Sequence, residues 1–173
     1  GAAVGWVPRR AGERGALEAG AAPNLLPGGR LVTDLPSRTE VAVAWHVDEL
    51  PDAPGRDTTA ILAAAADGEL EAVLVAGIEL ADLPDPELAQ RSLGAAKFVV
   101  SMEVRRSAVT DLAHVVFPVA PVVEKAGSFV NWEGRQRPFG AALPPATRAD
   151  MGVLAALADE HCIDLGLRDV AAV

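Results

Sequence analysis

Short, uninterrupted apolar runs alternate with alanine-rich stretches along this chain, and their spacing predicts an α/β domain with a mostly parallel sheet. Four runs read as strands, at about 3–7, 71–76, 97–101 and 114–117, each bounded by polar, Gly or Pro residues. Because their apolarity is continuous rather than alternating, they are expected to be buried on both faces. Helices are predicted over 10–19, 58–66, 86–94 and 149–161. Asp57 is placed to cap the second, Pro86 to open the third, and Asp150 lies near the start of the last. Gly20 and Gly68 stand where left-handed residues end helices.

Two stretches break this rhythm. Between 21 and 56, Pro and Gly recur too often for a long regular element, leaving room for one short helix around 38–46. A breaker-rich stretch of that length is expected to be functional or to pack on a neighbour. From 118 to 145, Gly127, Gly134 and Gly140 are interleaved with Pro121 and Pro138. That predicts an irregular loop or hairpin leading toward a C-terminal domain outside this chain. Phe129, Trp132 and Phe139 would be unusual on a free surface, so the segment is expected to dock.

Composition narrows the picture. A chain of 173 residues, half of them apolar, fits a single α/β domain over 1–173. A formal net charge of −9 argues against nucleic acid as a partner. No apolar run approaches the roughly 18 residues of a membrane span, so no direct membrane insertion is expected. Gly1 rather than Met stands directly before an apolar run, which reads as the interior of a longer polypeptide.

Cys162 is the only cysteine and cannot by itself hold an iron–sulfur cluster or a four-ligand zinc. His46, His114 and His161 share no ligand spacing, so no metal site is assigned. Gly12, Gly15 and Gly20 depart from the dinucleotide fingerprint. Arg9, Arg10 and Arg14 can hold an anion or, more simply, form a solvated or ion-paired face. Glu124 and Glu133 are a conceivable acid–base pair without defined geometry. The plainer reading has Glu124 and Arg135 hydrogen-bonding to fix the loop, with Gly127 and Gly134 supplying positive φ angles. No catalytic residue is assigned.

One stretch is more specific. Ala113, His114, Val115, Val116, Phe117 and Pro118 are followed by the run from Glu124 through Gly127, Asn131, Glu133 and Gly134 to Arg135. It resembles the molybdopterin oxidoreductases, whose pattern there is Ala-Asp-Val-Val-Leu-Pro and then Glu-x-x-Gly-Thr-x-x-Asn-x-Glu-Gly-Arg. Weaker echoes run from near residue 5 to about 160. Trp6 to Arg10, the Leu50 Pro51 to Gly55 turn and Ser107 to Leu112 are most similar to the large iron–sulfur subunit, the G subunit, of bacterial NADH:quinone oxidoreductases, and the residue usage has an actinobacterial character.

The resemblance implies a Rossmann-like three-layer domain whose strand-end turns would meet molybdopterin guanine dinucleotide. Carried over residue by residue, the positions concerned are Gly77, Glu79, Glu103, Ser107 and Asn131. Several depart from the family. Gly-x-Asn-Pro reads Gly77 Ile78 Glu79 Leu80, placing a phosphate-repelling carboxylate in the turn. Thr-Glu-Thr-Ala reads Ser107 Ala108 Val109 Thr110, and His114 replaces an Asp.

These departures imply a vestigial site and no cofactor in this segment. Iron–sulfur clusters, flavin, NADH and quinone would then be handled elsewhere in the parent. Its partners would be the remaining domains of the same subunit and other subunits of the peripheral arm, at the cytoplasmic face of the cell membrane. The alternative is a fragment of an active, formate dehydrogenase-like enzyme in which Glu103, Ser107 and Asn131 contact the cofactor.

Overall fold

A computed structural model describes residues 2, 7, 8 and 10–166. The predicted first strand falls largely on residues 3–6, outside the described residues, as does Arg9. Contacts divide the chain into two units, 1–57 with 128–138 and 58–127 with 139–173.

In the first unit, α1 (Glu13–Glu18) leads into a small antiparallel ladder of β1 (Leu25–Leu26) and β2 (Arg30–Leu31), then α2 (Leu35–Trp45). Gly20 ends the α1 region with φ +81, as predicted, and a Cβ there would lie 2.6 Å from the carbonyl carbon of Leu26. Helix α2 begins earlier than the predicted 38. The Asp34 carboxylate accepts the Ser37 N–H at 3.0 Å, and Pro36 occupies the first turn, where no backbone donor is needed. A proline counted as a breaker is therefore a starter. The helix ends on His46 in the left-handed region, φ 55, with the Val47 N–H turned back to the Ala42 carbonyl at 3.0 Å. Leu26, Val32 and Val41 form this unit's core, with Leu50 packed on it.

The second unit carries the parallel sheet. After α3 (Thr58–Ala66) come β3 (Ala72–Ala76), α4 (Pro86–Ala95), β4 (Phe98–Glu103), α5 (Ala108–Leu112) and β5 (Val115–Pro118). The strands lie in the order β3-β4-β5, all parallel, with Val75 beside Ser101 and Ser101 beside Val116. The predicted α/β class therefore holds. Asp85 caps α4 through the Leu88 N–H at 2.8 Å, and Pro86 stands at its start.

Val75 and Val99 of the sheet pack with Ala89 and Leu93 of α4 and Val109 of α5. Burying a side chain such as Leu93 contributes roughly 1.5–3 kcal/mol. Residues alternate across a strand, so Met102 faces the other way. There it meets Val119 and Val153, the latter from α6 (Asp150–Glu160).

Burial on both faces of every strand does not hold. Leu74, Phe98 and Val116 are 49%, 44% and 42% exposed. The reason is that β3 and β5 are edge strands among the described residues, and the helix layers reach only part of the sheet. The 118–145 segment contains a two-stranded ladder, β6 (Gly127–Val130) with β7 (Gln136–Phe139). Gly134 has φ +81, as predicted. Gly127 does not have positive φ; a Cβ there would come within 2.9 Å of the Phe139 ring, so close ring packing requires the glycine.

Candidate functional site

The C-terminal ends of β3 and β4 bring four of the five predicted positions to one edge of the sheet. Gly77 follows β3 with φ +60, and its N–H donates to the Met102 carbonyl of β4 at 3.2 Å. Two residues on, Glu79 precedes a single 3-10 turn, Leu80–Asp82. Its Oε2 accepts from Arg105 Nη2 at 3.1 Å, so the carboxylate expected to repel phosphates has a cation beside it. Both side chains are well exposed, and such a pair is worth at most about 1 kcal/mol.

Glu103 closes β4. Its carboxylate folds back to accept the Val104 N–H at 3.2 Å. Ser107 starts α5, a helix of five residues too short to persist on propensity alone. A reciprocal cap holds it: the Thr110 N–H donates to Ser107 Oγ at 3.4 Å, and the Ser107 N–H donates to Thr110 Oγ1 at 2.8 Å. The Thr110 hydroxyl in turn donates to the Ser107 carbonyl at 2.8 Å. Arg106 is paired with Asp111 at 3.0 Å.

His114 is committed to the fold. Its Nδ1 accepts the Val99 N–H at 3.0 Å while its own backbone N–H donates to the Val99 carbonyl at 2.8 Å. The chemistry explains how His can stand where the family has Asp, since either side chain presents an acceptor.

Asn131 is not brought to this edge by any described contact; it groups with the first unit. Its Oδ1 accepts the N–H groups of Glu133 and Arg135 at 3.1 and 2.9 Å, closing the turn between β6 and β7. Arg135 pairs with Glu133 at 3.2 Å, and Glu124 accepts the Ala146 N–H at 2.8 Å. The plainer reading of Glu124 and Arg135 as loop-fixing residues therefore holds. Among the described residues no group of His, Cys, Asp or Glu is arranged to hold a metal, and no helix is long and apolar enough to cross a membrane.

Two further residues take part at this edge, Thr110 and Arg105. Thr110 was legible, because Ser107 and Thr110 stand at capping-box spacing. Arg105 was not: it lies 26 residues from Glu79, and only the adjacency of β3 and β4 brings them together.

Comparison with known proteins adds a second line. Residues 3–160 match the family model described as molybdopterin oxidoreductase. The chain is 58% identical over 99% of its length to the G subunit of the NADH-quinone oxidoreductase of Mycobacterium tuberculosis. It is 57% identical over 98% of its length to the protein of the same name from Streptomyces coelicolor. A putative formate dehydrogenase of Bacillus subtilis is 32% identical over 76% of the chain. The chain spans only 22%, 21% and 13% of these relatives' own lengths.

Proposed function

The chain belongs to the molybdopterin oxidoreductase family, and from that premise we propose that it is a structural domain of the large iron–sulfur subunit, the G subunit, of an actinobacterial NADH:quinone oxidoreductase, with a Rossmann-like three-layer architecture that holds no pterin cofactor. In this reading the parent complex passes electrons from NADH to quinone. Flavin and iron–sulfur clusters lie in other domains or subunits, and the domain shapes the peripheral arm on the cytoplasmic face of the membrane. Its partners are the rest of the same subunit and neighbouring subunits of that arm.

The observation that carries the cofactor-free reading is the commitment of polar groups at the ends of β3 and β4. A dinucleotide needs convergent donors facing its phosphates. Here Arg105 and Arg106 are each paired with a carboxylate, and Ser107 and Thr110 cap one another. Two carboxylates, Glu79 and Asp111, pair with those two cations, and a third, Glu103, ends β4 two residues before Arg105. The ion pairs are weak enough to open, but the carboxylates stay, and they oppose a second polyanion. A glycine turn at Gly77 supplies close approach and nothing that grips.

The test is elemental and pterin analysis of the full-length subunit purified with its clusters intact. The expected result is iron without stoichiometric molybdenum, tungsten or pterin. One equivalent of metal with extractable pterin would instead favour the active, formate dehydrogenase-like alternative, with Glu103, Ser107 and Asn131 as contacts.

A further inference from the structure

We draw no further inference here: the strongest candidate, the cavity of about 570 Å³ at the start of α6 lined by Lys125, Thr147, Arg148 and Gly152, rests on a helix N-terminus whose neighbouring Lys125 is already paired with Asp150, and among the described residues no buried, unpartnered side chain lines it to point to a ligand.

Discussion

Gly20 and Ser101 show how differently single residues are constrained. At Gly20 the backbone is left-handed, and a Cβ would meet the backbone of Leu26 and Pro27 at 2.6 and 2.7 Å, where no side chain can swing aside. Gly20→Ala is therefore expected to cost about 2–4 kcal/mol, strain and displacement combined, read as a lowered urea midpoint. Ser101 is the opposite case. It is fully buried in β4, and its hydroxyl has no hydrogen-bond partner among the described residues. Ser101→Ala removes an unsatisfied group, so unfolding should show no loss and up to ~2 kcal/mol of gain. A clear loss would mean that the hydroxyl is bonded after all. Ser92, equally buried, sits 2.6 Å from the carbonyls of both Leu62 and Leu88, and its single proton ties α4 either to its own turn or to the chain of α3.

Elements here depend on their ends. The Ser37 hydroxyl, then the Ser37 N–H, holds the Asp34 carboxyl below the usual carboxylate range at the start of α2. A depressed folded value means that this stabilisation is present above the unfolded carboxyl value near pH 4 and is lost as pH falls through the folded one. The melting temperature of the chain should thus fall more steeply below about pH 4 than that of Asp34→Asn, which can still cap. Identical pH profiles for the two proteins would sink the assignment. Helix α5 makes the same point without a charge. Its reciprocal cap accounts for Ser107, and Ser107→Ala is expected to cost ~1 kcal/mol in the cofactor-free chain. No change in stability would release Ser107 for some other task.

At the scale of the molecule, the notable property is how much apolar surface stays open. Trp132, in the turn between β6 and β7, is 82% exposed, and Phe98 and Leu74 remain open on the sheet. Isolated exposed apolar residues are ordinary, but tryptophan in a turn is not. If the turn docks on the rest of a longer subunit, the chain alone should bind a hydrophobic dye and associate at high concentration, and Trp132→Ser should reduce both. A strictly monomeric chain that leaves the dye dark would refute the docking of this turn.

The amino-acid order by itself determined the α/β class, the span of α3, the start of α4 at Pro86 and the left-handed glycines at 20, 68 and 134, because periodicity, caps and turn preferences act within a few residues. It also carried the family, through the run from Ala113 to Arg135. What only the tertiary structure decided were the partnerships between distant residues: Arg105 with Glu79, Phe139 over Gly127, and His114 on the Val99 amide. The openness of Leu74 and Phe98 belongs with them, since a continuous apolar run records that a strand can be buried on both faces but not whether a helix arrives to cover each one. Local energies shape each segment, while strand adjacency and layer coverage are properties of the assembled fold.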